Sequence, residues 1–205
     1  KRENYYNLTI FAGSSISADA SGYGSNSGPG ATPDLYFNSG ASYGGLGLGN
    51  YATSTYGSAI IPIDLGSGGN STGYGGGAIK LNVTGTTTIP SGGSITANGA
   101  AAPGSTNNSG GSGGSVHLTT ATLTGSGTIG TKGGSGSWWY NCGGDGAGGR
   151  IAVYYTTDTS TIAYQNYTVS GCGIAGAGTT YKKAASQTYG DLMLDNNNAG
   201  GTTTS

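Results

Sequence analysis

The chain is 205 residues long, with 45 glycines, 7% charged residues and a formal net charge of −1. Seven basic residues leave no electrostatic footprint for nucleic acid or an acidic membrane, and no apolar run reaches the ~18 residues of a membrane span. Glycine does not recur at every third position, which excludes collagen, and the low charge is unlike that of ordinary disordered chains.

The chain opens on Lys1 rather than methionine, the start expected of a polypeptide cut from a precursor. Residues 1–11 read as a strand, with Tyr5, Tyr6, Leu8, Ile10 and Phe11 as its apolar members. Leu8-Thr9-Ile10 followed by Ser15-Ile16-Ser17-Ala18 is a two-strand phrase that recurs later. Residues 12–72 are the least regular stretch and read as an irregular coil with a loop excursion.

From 73 to 196 the chain is periodic. Gly-Gly-x-apolar-x-apolar occurs at Gly76–Leu81, Gly113–Leu118 and Gly148–Val153, with first apolar residues Ile79, Val116 and Ile151 spaced by 37 and 35. A second phrase, Ser94-Ile95-Thr96 and Thr128-Ile129-Gly130, repeats at a spacing of 34. Each unit is too short to bury a core alone and must stack on its neighbours. The whole chain, 1–205, is expected to be one all-β domain, a glycine-rich parallel β-helix (β-solenoid), with a β-sandwich as the alternative. Alternation puts Ile79, Leu81, Val116, Leu118, Ile151 and Val153 inward, and Lys80, His117 and Ala152 toward solvent. The glycine tracts are expected to be ordered corners. Asp191–Asp195, with Leu192 and Leu194, reads as a last strand before a tail at 197–205.

The phrases Gly148–Tyr155, Ser94–Gly99, Gly178–Lys183 and Gly190–Asn196 resemble the repeats of large glycine-rich β-helical cell-surface and adhesin-like proteins, over Leu8 to Asn196. The resemblance implies a structural role at or outside the cell surface. It carries over no catalytic residue.

Catalysis on such a scaffold needs carboxylates gathered on one face. The eight acidic residues are scattered instead, so no enzyme and no cofactor is expected. His117 has no partner for a zinc site. Gly45–Gly49 lacks the helix and acidic residue of a dinucleotide loop, and Gly125–Lys132 misses phosphate-loop spacing. Five sequons, at Asn7, Asn70, Asn82, Asn107 and Asn166, stand against about four expected by chance, and are candidate glycosylation sites in an exported chain. Cys142 and Cys172 are expected to form a disulfide, the usual fate of a cysteine pair outside the cell. Trp138, Trp139 and Tyr140 read either as a local apolar cover or as an aromatic contact patch for a subunit or sugar.

The function expected is that of a structural subunit in an extracellular filament, sheath or surface layer. Copies of the chain would join head to tail through terminal strand edges, Tyr5, Tyr6, Leu8, Ile10 and Phe11 meeting Leu192 and Leu194. An adhesin or glycan-binding module is the alternative; an ice-binding protein or a polysaccharide-degrading enzyme fits less well. The partners expected are copies of itself and glycans, with neither nucleic acid nor a membrane span.

Overall fold

The computed structural model describes residues 2–32, 39–49, 51–70, 72–102, 104, 108–137, 144–163 and 167–197, with Arg2 and Glu3 described by their backbone. In chain order the strands are β1 (Arg2–Tyr5), β2 (Leu8–Thr9), β3 (Ser15–Ser17), β4 (Ala78–Ile89), β5 (Ser94–Thr96), β6 (Ser115–Gly125), β7 (Thr128–Gly130), β8 (Arg150–Asp158), β9 (Tyr167–Thr168), β10 (Thr179–Ala184) and β11 (Asp191–Met193). They form a seven-stranded sheet, β1-β4-β6-β8-β10-β11 with β2 also on β4, and a four-stranded sheet, β3-β5-β7-β9.

The repeat spacing reappears as pairing. Ile79 lies opposite Val116, and Val116 opposite Ile151, in parallel ladders. In the smaller sheet Ile16, Ile95 and Ile129 are row-mates in the same way. Isoleucine, valine and threonine at alternate positions suit a pleated surface with one apolar face. Those faces meet in one buried cluster: Ile79, Leu81, Val116, Leu118, Ile151 and Val153 come from the larger sheet, Ile95, Ile129 and Tyr167 from the smaller. Every one of the six positions expected to point inward is buried. Each fully buried Leu or Val contributes about 1.5–3 kcal/mol relative to exposure.

The closed parallel β-helix expected from the repeat is not what forms. Among the described residues there is 0% helix and 34% strand, in open sheets of seven and four strands with mixed pairing and no closed solenoid. Nor do the named strands pair as the hairpins of a sandwich, since β10–β11 is their one antiparallel pair. Two physical features open the structure. The chain reverses beyond β10, where the Gln187 N–H donates to Ala184 O, and β11 returns antiparallel. The glycine tracts, meanwhile, are not corners but extended segments packed as a layer.

That layer has its own bonding rule. Along 110–114, successive N–H groups donate to Gly144, Ala100, Ser67, Ala147 and Ala97 carbonyls, so Gly110 and Gly113 turn to one neighbouring segment, Gly111 and Gly114 to a second, and Ser112 to a third. A two-residue period would give a sheet; three directions around one segment is the habit of a polyproline-II-type helix, which has no internal hydrogen bonds. Segments bonded on three sides must approach closely. A Cβ at Gly113 would run into the Thr131 carbonyl, and one at Gly148 into the Val169 carbonyl. Glycine is required here for lack of a side chain, not for a positive φ.

Residues 39–49 and 51–70 fold back over the outer face of the larger sheet. Tyr154 Oη donates to Ile60 O at 2.6 Å, and Arg150 Nε and Nη2 donate to Tyr56 O at 3.0 and 2.9 Å. His117 and Ala152 are therefore buried rather than facing solvent, at 7% and 0% exposure, while Lys80 is half-buried. The alternation was right about the inner face; the outer face is covered by a segment with no repeat signature.

Candidate functional site

Among the described residues, the strands at the two ends of the sheets are those left with one strand partner each. At one end, β1 and β2 pair only with β4, and β3 only with β5. At the other, β11 pairs only with β10, and β9 only with β7. Unpaired edges are templates for another strand unless something blocks them.

Most of the expected contact residues sit on these ends. Tyr6 and Phe11 are 76% and 72% exposed, Leu192 and Leu194 are 56% and 57% exposed, and Tyr5 is exposed to a lesser degree. Leu8 is partly buried against the core. Ile10 is different: its N–H continues the ladder to Thr88 O at 3.0 Å, and its side chain is buried in the core. It has no surface to offer a joint.

The end carrying β10 is finished by a polar group that sequence reading did not single out. Lys182 shares a row with the buried Val153, so the inward apolar column stops at an ammonium. Its Nζ lies 2.9 Å from Asp158 Oδ2, and 4.9 and 5.5 Å from the ring centres of Tyr167 and Tyr155. Burial works against the Lys182 charge, yet Tyr167 and Asp158 hold its pKa above the ordinary value. For Asp158 burial also opposes ionisation, but hydrogen bonds with Ser160 and Lys182 keep its pKa below 3.8. The signal was a lysine at an alternate, apolar-phase position of a strand, an inward charge that discourages pairing with any strand carrying no acid opposite it.

A second polar cluster pins Tyr43, Tyr56 and Asp64 to the sheet. Tyr43 Oη and Ser115 Oγ are 2.7 Å apart, Ser115 Oγ donates to Asp64 O at 2.6 Å, and Arg150 stands 5.5 Å from the Tyr43 ring centre. Burial pushes the Tyr43 phenol up to about 12, and raises Tyr56 as well. These groups satisfy one another and the backbone, an arrangement that locks a buried polar seam rather than presenting reactive groups.

The remaining sequence candidates are dispersed. Asn7 is exposed, its Oδ1 accepting from Thr86 N–H at 2.8 Å; Asn82 Nδ2 donates to Asn4 Oδ1; Asn70 Oδ1 accepts from Ser109 N–H. Asn107, Asn166, Trp138, Trp139, Tyr140 and Cys142 lie outside the described residues, so the disulfide and the aromatic patch do too. Cys172 is half-buried, its N–H donating to Gly146 O. Asp145 is buried and accepts from Gly136 N–H. Among the described residues no group of three or more His, Cys, Asp or Glu could hold a metal ion, and no helix is long and apolar enough to cross a membrane.

His117 gives a pH test of the covered face. Its ring centre is 5.4 Å from that of Tyr154, Nδ1 has no hydrogen-bond partner among the described residues, and Lys80 is its row-mate. Burial, then Lys80, lowers its pKa from 6.5. The unfolded chain therefore takes up the proton first as pH falls through about 6.5, so folding stability should drop there and level off once the folded-state pKa is passed. The urea midpoint is expected to fall between pH 7.5 and 5, and His117→Gln to flatten that fall. An equal fall in the variant would place the titration elsewhere. The Asp158 contribution is lost only at more acidic pH, below 3.8.

No family model matches the chain, and no curated protein or solved structure matches it.

Proposed function

We propose that the protein is a structural subunit of an extracellular filament, sheath or surface layer, in which copies join end to end through their terminal strand edges. The observation that carries the reading is the pair of unpaired edges flanked by exposed Tyr6 and Phe11 at one end and Leu192 and Leu194 at the other. Joining would satisfy edge backbone groups that have no strand partner among the described residues, and bury apolar surface at about 25 cal/mol per Å². A net charge of −1 offers little repulsion. Seven basic residues in 205 give trypsin-like proteases few sites, which suits a life outside the cell.

A second reading, adhesion to glycans, draws on an open groove of about 260 Å³ lined by Thr119, Tyr154, Tyr155, Thr156 and Lys183. Aromatic faces beside hydroxyl groups suit neutral sugars.

Because Ile10 belongs to the core, removing 1–11 would confound folding with assembly. Replacing Tyr6 and Phe11 together by serine leaves the core intact. This variant should keep its β-rich circular dichroism and thermal midpoint but lose most of its elongation, read by sedimentation and negative-stain microscopy. Filaments of normal length from it would put the joint elsewhere.

A further inference from the structure

We infer that the outer edge of β10 is the docking edge for β1 of a second copy, and that β11 is its displaceable intramolecular stand-in. The inference rests on the end-to-end reading above and specifies the joint.

Through the rows of Glu3 and Asn4 the parallel ladder keeps one register across the larger sheet. Glu3, Leu81, Leu118, Val153 and Lys182 form one row, each opposite the next. Asn4, Asn82, Thr119, Tyr154 and Lys183 form the neighbouring row. If β1 of the next copy continued this ladder on β10, Glu3 would fall in the row of Lys182, and Asn4 in the row of Lys183. The row that begins with an acid thus ends with a base, an opposite-charge match across the joint.

β11 already occupies that place in imitation. Asp191 stands opposite Lys182, so an acidic residue takes the position Glu3 would take. The imitation is partial. β11 covers only Thr180–Lys182 of the six-residue β10, and runs antiparallel where every other strand of the sheet pairs in parallel. Beyond it, Ala184 N–H makes do with the side chain of Gln187. Leu192, at the centre of β11, and Leu194, just past it, stay more than half exposed, so β11 buries little and gives up little on release. A full parallel partner would pair further along β10 and cover its end. An occupied edge also lowers the apparent affinity of the joint by the fraction of time β11 is released, which restrains assembly in dilute solution.

Cysteine cross-linking between copies separates the two edges. Full-length Asn4→Cys protein is mixed with full-length Lys183→Cys or Leu192→Cys protein under oxidised glutathione, and the unmodified protein carries the background of the native cysteines. Row-mates on neighbouring strands stand ~4.8 Å apart, inside the disulfide window. The covalent heterodimer is expected to form about tenfold faster with Lys183→Cys than with Leu192→Cys. Faster or equal reaction at Leu192 means that β11 stays in place and is itself the edge; that overturns the inference and leaves end-to-end assembly standing. Filaments with neither cross-link overturn it as well. If the unmodified protein does not associate at all, the inference and the functional reading fall together.

Discussion

Gly113→Ala is expected to leave little folded protein, whereas Gly24→Ala should behave as the unaltered chain. One methyl group is added in each case, and neither glycine has a positive φ. The difference is space. At Gly113 the new Cβ meets the Thr131 carbonyl, which is backbone and has no rotamer to yield, while at Gly24 nothing stands within 4 Å. Relieving the clash means parting two extended segments. That strains or breaks bonds such as Gly113 N–H to Ala147 O at 2.9 Å and Gly149 N–H to Thr131 O at 2.7 Å. Overpacking costs about 1–3 kcal/mol, and each buried backbone group left unpaired a further ~1–3 kcal/mol. The sum is a large share of the ~5–15 kcal/mol that holds a domain folded. Soluble yield and thermal midpoint decide it. If the two variants melt together, the glycine layer is not packed as described.

Leu118→Asp should abolish folding, and His117→Asp, one residue away, should also destabilise, though less. Leu118 is fully buried between its row-mates Leu81 and Val153, so the substitution removes about 1.5–3 kcal/mol of burial and places an unpaired carboxylate in an apolar core. His117 lies on the opposite face, where strand alternation alone would make a carboxylate harmless. That face is covered: the Tyr154 ring packs beside His117, and Tyr154 is in turn held by Ile60 O. A charge there meets partial burial with Lys80 near enough to compensate in part. Leu118→Asp should show no cooperative unfolding transition, and the denaturation midpoint of His117→Asp should lie below that of His117→Gln. An unperturbed His117→Asp would show that the outer face is open to water.

These two positions mark where the sequence was readable. Neighbouring repeats pair directly, so the spacing of Ile79, Val116 and Ile151 contained both the register and the inner face. What covers the outer face was hidden because Tyr56 and Ile60 reach Arg150 and Tyr154 across 94 residues, with no period linking them. The glycine tracts misled for a related reason. A corner and a close-packed extended segment both demand glycine, and only the three-way bonding of 110–114 tells them apart. The closed solenoid failed on the reversal after β10, where Asp191–Met193 has the same strand-like alternation whichever direction it pairs. Of the residues expected at the joint, Tyr6, Phe11, Leu192 and Leu194 are exposed apolar groups. Ile10 was not distinguishable from them, since strand phase near a chain end depends on a partner that sequence does not name.

The proposed end-to-end joining has a dimension attached to it, and the axial rise of any assembly is the most direct measurement. Five levels of the larger sheet, β1, β4, β6, β8 and β10, at ~4.8 Å each give roughly 24 Å per copy when the next β1 follows β10 directly. Cryo-microscopy of concentrated protein should show filaments with strands perpendicular to the axis, a strong layer line near ~4.8 Å and a subunit rise of about 24 Å. A particle that stays monomeric at every concentration, or a filament whose strands run along its axis, would contradict end-to-end joining.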